Sequence, residues 1–332
     1  MTYTSGSTIA ATDYNGFVST TSGANLNDVW STGSGDKGWG QTALATVSTG
    51  GSVTATQWAS LVNNLATAGS QTNTTETSRT APTAGTTISI LAALNTDLTS
   101  VTTNRGNAAA AGTEYGTFSG TTSKGTATGS GQASWTITFT HTVTFASADA
   151  ARYFWNAGGR VRLQYGKSST GTDIDPDWNA FAALCGSIYV SGRVNGAAQT
   201  IVGTSYTGTT RIGGTGGTQT TLATTTGWYN LTGTPVTIFQ LNNASSPYTG
   251  EYIQTTAAAS STVLTLVTTW YQPAVSAAGT TCNISGGSTV TSPATSIGAA
   301  TAPTTLCTYI PPSTTYLTTA SWGTPAIAAS VA

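Results

Sequence analysis

Two rhythms run along the chain. Over about the first hundred residues, apolar side chains recur at helical spacing: Tyr14, Phe17 and Val18, resuming around Leu26 to Trp30; then Trp58, Leu61, Val62 and Leu65; then Ile90, Leu91, Leu94 and Leu98. The second stripe opens on Thr54 and Gln57, spaced as a capping box in which each side chain meets the other's backbone amide. Each stripe needs a partner to bury it, and a small helical subdomain over 1–107 is the simplest arrangement. Residues 108–133, rich in Gly, Ala, Thr and Ser, predict a linker.

From Trp135 the period becomes two. Trp135, Ile137, Phe139, Val143 and Phe145 alternate with threonines, which predicts a strand with one buried face and one hydroxyl-lined face. His141 falls on the apolar side, where a packed histidine is a more ordinary occupant than a lone metal ligand or base. A short helix is expected over 147–158, with Ser147 as N-cap and Gly158 as terminator, and a strand at 160–165. A second short helix is expected from Asp175, with Pro176 in its first position, to Gly186. Further strands are expected at 187–191, 201–202, 226–231, 236–241, 248–255 and 262–271.

The pattern therefore predicts an α+β, mainly β fold. A helical N-terminal assembly domain precedes an antiparallel β-sandwich-like domain over 134–272 that carries one or two short helices. After Gln272 the patterning fades, and Pro273, Pro293, Pro303, Pro311, Pro312 and Pro325 interrupt Thr/Ser stretches. An extended arm over 273–332 is expected there, laid over a neighbour and anchored by Tyr309, Tyr316 and Trp322.

Charge barely enters this pattern. Asp, Glu, Lys and Arg make up 6% of the chain, against roughly 25% in an ordinary soluble domain. A surface of hydroxyls and small residues repels its copies weakly and closes against another protein at little desolvation cost, so assembly is the first expectation. The net charge of −1 supplies no basic footprint for nucleic acid and no basic helix for a membrane surface. No apolar run approaches the ~20 residues that span a bilayer. The opening residues show neither the basic nor the apolar region of a signal peptide, so synthesis and folding in a bacterial-type cytosol are expected.

Chemistry has little to recruit. The single His has no G-x-S-x-G elbow to serve, and the three Cys show no zinc spacing. Glu76, Glu114 and Glu251 show no spacing that argues for a glycosidase pair. Asp173-Ile-Asp-Pro-Asp177 begins like a calcium loop, but Trp178 and Leu184 stand where Gly and Glu are required, and a helix cap accounts for two of the carboxylates. Thr32-Gly-Ser-Gly-Asp-Lys-Gly-Trp-Gly-Gln41 reads as a glycine-shaped loop and not a phosphate loop, since Gly38 follows Lys37. No enzyme, cofactor or metal is expected. Cys185 reads as a buried free thiol, whereas Cys282 and Cys307 are candidates for a bridge.

Several of these pieces together resemble phage virion structural proteins, of the tail-fibre-like and neck or baseplate-associated kind, from contractile-tailed phages of cyanobacteria and other aquatic bacteria. The matching stretches are Ile9-Ala-Ala-Thr-Asp-Tyr-Asn15, the loop from Thr32 to Gln41, Val53-Thr-Ala-Thr-Gln-Trp58, Tyr153-Phe-Trp-Asn-Ala-Gly-Gly-Arg-Val-Arg-Leu163 and Asp177-Trp-Asn-Ala-Phe181, in that order. Trp39, where the pattern has Tyr, and Trp155 depart from it. The resemblance implies a structural role in the virion and no catalytic residues.

Trp39, Trp228, Tyr229, Trp270, Tyr271, Tyr309, Tyr316 and Trp322 are the candidate contact aromatics. Rings set among Thr, Ser, Asn and Gln either stack on sugars of a host-surface glycan or turn into a core or an interface. The expected partners are the chain itself, as a homo-oligomer with a trimer as first expectation, and other virion proteins of the tail, neck or fibre-attachment region. A glycan-binding adhesin and a capsid decoration protein are the alternatives.

Overall fold

The threonine-spaced run forms strand β1 (Trp135–Thr144) in a computed structural model of the chain, with its apolar side chains and His141 turned inward. The structure describes residues 10–20, 23–85, 88, 91–110, 134–168, 174–192, 199–201, 204–206, 208–217, 220–223, 226–244, 248–274, 281–283, 289–291, 302–318 and 321–332. On either side of β1 run β10 (Val263–Gln272) and β14 (Ala326–Val331), and β9 (Tyr252–Ala259), β8 (Val236–Asn242) and β7 (Thr220–Leu222) extend the sheet. The order is β14-β1-β10-β9-β8-β7, with every pairing antiparallel.

A second antiparallel sheet has the order β13 (Thr304–Ile310), β2 (Arg160–Gly166), β3 (Ser187–Ser191) and β6 (Thr210–Ile212). Its inner side meets the first sheet. Tyr165 stacks on Phe239 at 5.4 Å and its hydroxyl lies 2.7 Å from Thr255 Oγ1, while Trp270 Nε1 donates to Thr305 Oγ1 at 3.2 Å. Two hairpins, β4 (Gln199–Ile201) with β5 (Thr204–Tyr206) and β11 (Thr281–Asn283) with β12 (Thr289–Thr291), complete the strands. The fold is α+β and mainly β, with a sandwich-like arrangement of sheets.

Helices α1 (Ala11–Val18), α2 (Leu26–Trp30), α3 (Ala55–Thr72) and α4 (Leu91–Asn104) take up the early stripes. The capping box at Thr54 and Gln57 starts α3, and Asn73 ends it in the left-handed conformation. Tyr14 and Phe17 present ring edges to Trp58 at 5.4 and 6.2 Å. Helix α5 (Ala148–Asn156) is capped by Ser147, whose side chain accepts from the Ala150 amide. Helix α6 (Ile174–Ala183) begins one residue before Asp175, so Pro176 lies inside the first turn.

These helices are not a separate domain. Gln71 on α3 donates to the carbonyls of Ala109 and Ala157 at 2.9 and 3.0 Å, and one buried apolar cluster runs from Tyr14 to Trp322. The loop between α2 and α3 docks on α5: Arg152 donates to the Gly35 carbonyl at 2.8 Å, and Asn156 to those of Asp36 and Gly38 at 2.7 and 3.0 Å. Gly33, Gly35, Gly38 and Gly40 all take positive φ, and a Cβ at Gly38 or Gly40 would collide with the Thr32 carbonyl or the Tyr153 ring. Of the expected linker, Ala108 is buried and Ala110 bridges Pro312, while 111–133 lie outside the described residues.

The C-terminal region departs most from expectation. In place of an arm over 273–332, β13 and β14 each supply an edge strand, one to each sheet, and Cys307, Tyr309 and Trp322 are buried. Pro303 and Pro325 stand immediately before these strands and Pro311 follows β13, where the missing amide hydrogen costs no ladder bond. The boundary at 272 therefore falls inside one folded unit. Elsewhere, 226–231 forms a 3₁₀ turn at Trp228–Asn230 instead of a strand, and β9 begins after a turn containing Tyr248 and Gly250.

Truncation after Gln272 is expected to strip one edge from each sheet and to abolish cooperative unfolding, read by near-ultraviolet circular dichroism during urea titration. A cooperative transition at an unchanged midpoint would restore 273–332 to an arm.

His141, opposite Leu266 and Ala329, is fully buried, and burial lowers its pKa from 6.5 to about 4 against a raising hydrogen bond with the Thr305 backbone. The unfolded chain therefore takes up this proton first on acidification. Its stabilising neutral form is kept above pH 6.5 and lost as pH falls toward 4. Between pH 7 and pH 5, urea unfolding of His141→Leu should show an acid loss smaller than wild type by about 2 kcal/mol. Equal losses would mean that the imidazole is not held neutral.

Candidate interaction face

Strands β14, β1, β10, β9, β8 and β7 contain no Asp, Glu, Lys or Arg. Their inward side is the core, so the outward side is a neutral face of threonines, amides, alanines, valines and two tyrosines, each half-buried or exposed. Register sets the rows. Thr136, Tyr271, Tyr252 and Asn242 lie side by side across four strands, and Thr138, Thr269, Gln254, Gln240 and Thr221 form the next row. With ~4.8 Å between strands and ~33 Å along a ten-residue strand, the face covers on the order of 700 Å². That is close to one partner's share of a stable interface, about 800 Å².

At one end of the face Tyr252 and Tyr271 stack on each other, with ring centroids 5.0 Å apart and planes at 27°. Gln254 Nε2 donates to Gln240 Oε1 at 2.9 Å, and Gln240 Nε2 to Asn242 Oδ1 at 2.8 Å. The amides thus hold one another in a row. The face offers hydroxyls, amides and methyl groups, which suit hydrogen bonding and apolar contact with a neutral surface.

Most of the aromatic candidates lie elsewhere. Trp228 is buried, stacked on Trp155 at 5.2 Å and set against Phe145 at 5.9 Å. Trp270 is fully buried between the sheets, close to Trp178 at 5.3 Å. Neither ring is open to a sugar, because the core already covers it. Trp39, Tyr309 and Trp322 are buried as well. Tyr229 is half-buried, with its hydroxyl on Asn156 Oδ1, beside a cavity of about 20 Å³ that also touches Trp39 and Trp155. Only Tyr271, on the neutral face, and Tyr316, 45% exposed, are placed to meet a partner. Tyr252, Gln240 and Gln254 were not singled out by sequence, since their row exists only once the strands are paired. A wider recess of about 690 Å³ beside α2 is lined by hydroxyls and amides, and its only lining charges, Asp28 and Lys37, pair at 2.7 Å.

Among the described residues two carboxyl groups are fully buried, and they sit together. Asn243 Nδ2 donates to Asp177 Oδ2 at 3.2 Å and to Glu251 Oε2 at 2.8 Å. Burial first, then the charge of Asp177 and a hydrogen bond with it, raises the pKa of Glu251 well above its ordinary value; Asn243 and Gln272 oppose the rise. Glu251 therefore holds its proton to higher pH than an ordinary carboxyl, and shares a hydrogen bond with Asp177. The pair ties α6 to the turn before β9 and presents no surface to a substrate. Among the described residues no group of three His, Cys, Asp or Glu could hold a metal ion; the side chain of Asp175, the expected cap, lies outside the described residues.

The expected bridge is not made at Cys307. Its thiol is free and buried opposite Leu163 in the β13–β2 ladder, and burial pushes its pKa up to about 12. The side chain of Cys282 lies outside the described residues. Cys185 is a free buried thiol, as its apolar neighbours predict. Among the described residues no helix is long and apolar enough to cross a membrane. No protein-family model, curated protein or solved structure matches the chain.

The buried carboxyl pair gives a pH test. The folded protein keeps on Glu251 a proton that the unfolded chain releases near 4.5, so this stabilisation is complete below that pH and is lost as pH rises through the folded pKa. Thermal midpoints between pH 5 and pH 9 should therefore decline more steeply in wild type than in Glu251→Gln, which keeps a donor toward Asp177. Parallel profiles would show that the pair does not share a proton.

Proposed function

We propose that the chain is a non-enzymatic structural component of a phage virion, of the tail, neck or fibre-attachment region, acting through protein–protein assembly. One observation carries the assembly part of this reading: a six-stranded sheet without a formal charge in any strand, whose outward side chains are half-buried or exposed among the described residues. Designed soluble surfaces carry about 25–35% charged residues to keep copies apart, and this face has none. A neutral hydroxyl and amide surface sheds little hydration energy when covered, so contact with an equally neutral surface is favoured by its apolar fraction. The ordered motif resemblance supplies the kind of particle. A capsid decoration protein would use the same contacts at a different copy number.

The glycan-binding alternative is reduced to one patch. Tyr252 and Tyr271 stand beside a row of amides, which is hydrogen-bonding chemistry for a neutral sugar, but their ring faces are turned on each other. Assembly is the reading favoured by the extent of the face.

Size-exclusion chromatography with light scattering at about 0.05 and 0.5 M NaCl tests the proposal, since screening weakens charge-based contacts and leaves neutral ones in place. The expected result is an oligomer of the same mass at both ionic strengths. A chain that is monomeric at both, and binds no other protein of its particle, would overturn it.

A further inference from the structure

We infer that β14 pairs with β14 of a second copy of this chain across a twofold axis at Ala329, joining two six-stranded sheets into one of twelve strands; this rests on the assembly reading above. The phase of the ladder carries the argument. Thr138 and Ala332 exchange both backbone hydrogen bonds, at 2.8 and 2.9 Å. In an antiparallel pair such bonded positions recur at every second residue, so Ser330, Ala328 and Ala326 bond to Thr140, Thr142 and Thr144. The amides and carbonyls of Ile327, Ala329 and Val331 then point away from β1. Among the described residues no backbone group meets them.

This open edge is unguarded. Natural edges are usually blunted by Lys, Pro, a bulge or very short length, whereas β14 reads Ala-Ile-Ala-Ala-Ser-Val, pairs without a register shift, and holds neither charge nor proline. It is also self-complementary, which an isologous contact requires. With Ala329 opposite Ala329 of the second copy, Ile327 faces Val331 on the inner side and Ala328 faces Ser330 on the outer side. All the outward donors and acceptors of both strands are then used. A pairing displaced by two residues would leave part of each strand's outward set unmet.

The composition of β14 favours a second copy over a charged partner, for which the strand offers no counter-charge. A head-to-tail contact would have to use another edge; β6 and β7 offer only three residues each, and β13, seven residues long, has five of them buried. Pairing through β14 would also run the neutral face of one copy into that of the next.

Two variants of the full chain test the contact, read by light-scattering mass and by urea unfolding. Ala329→Pro deletes an outward amide hydrogen and no bond to β1. Ala328→Lys leaves the core untouched and places like charges near the axis. Wild type is expected to have twice the 33.4 kDa chain mass, or an even multiple, with both variants halving it and unfolding at the wild-type urea midpoint. Should Ala329→Pro fail to fold, the exposed Ala328→Lys decides alone. Folded variants that keep the wild-type mass overturn the edge contact and leave the assembly reading standing. An odd-numbered wild-type oligomer overturns the twofold pairing. A monomer that binds another virion protein, and loses it in Ala329→Pro, overturns the second copy as occupant, and a monomer that binds nothing overturns both readings.

Discussion

Trp155 stacks on Trp228 and stands against Phe145 and Phe154, and around these rings the helices, the glycine loop and both sheets meet. Phe145 continues from β1 in one sheet, and Phe154 reaches Tyr309 on β13 in the other at 6.3 Å. Asn156, the next residue along α5, grips the loop after α2. The packing of large rings, each removing a large area from water, does here what scattered surface charges cannot, since exposed ion pairs add little. The early helices are held to the sheets through this group and through Gln71, which is why one main apolar cluster runs through the described helices and sheets.

With so few ionisable groups, those that are buried carry specific duties. Asp97 on α4 pairs with Arg79, both side chains almost fully covered, and also accepts from the Thr77 amide at 3.1 Å. That anchors the segment between α3 and α4 against the helices. Asp177 and Glu251 join α6 to the β8–β9 turn in the same way, with a shared proton taking the place of a counter-ion. The buried ionisable groups thus stand at joints between elements, and the strands of the larger sheet carry none of Asp, Glu, Lys or Arg.

The parts of this architecture set by local pattern could be read from the sequence. The Thr54–Gln57 box, the Ser147 cap, the alternation of β1 and the inward turn of His141 each depend on neighbours within a few residues. The glycine loop could be read too, because only glycine tolerates its backbone. The edge strands could not: β14 has just Ile327 and Val331 as large apolar residues, and the prolines beside β13 and β14 look like interruptions until the strand ends are known. Trp228 and Trp270 could be read as core rings ahead of a sugar platform, but the rings they meet could not be, since Trp155, Phe145 and Trp178 come from distant segments. The Asp177–Glu251 contact joins residues from distant segments, and the rows of the neutral face depend on strand register, which no local signal encodes.

The docked glycine loop has a consequence for how this region can vary. Arg152 and Asn156 read it through the carbonyls of Gly35, Asp36 and Gly38, so what α5 recognises is the path of the main chain. A segment recognised in this way is intolerant where a side chain would have to be added and indifferent where one merely changes. Ser34 and Asp36 give α5 no side-chain contact, so other side chains fit there as far as α5 is concerned, whereas the four glycines hold positive φ angles that strain any added Cβ. The loop's specificity is written in absences.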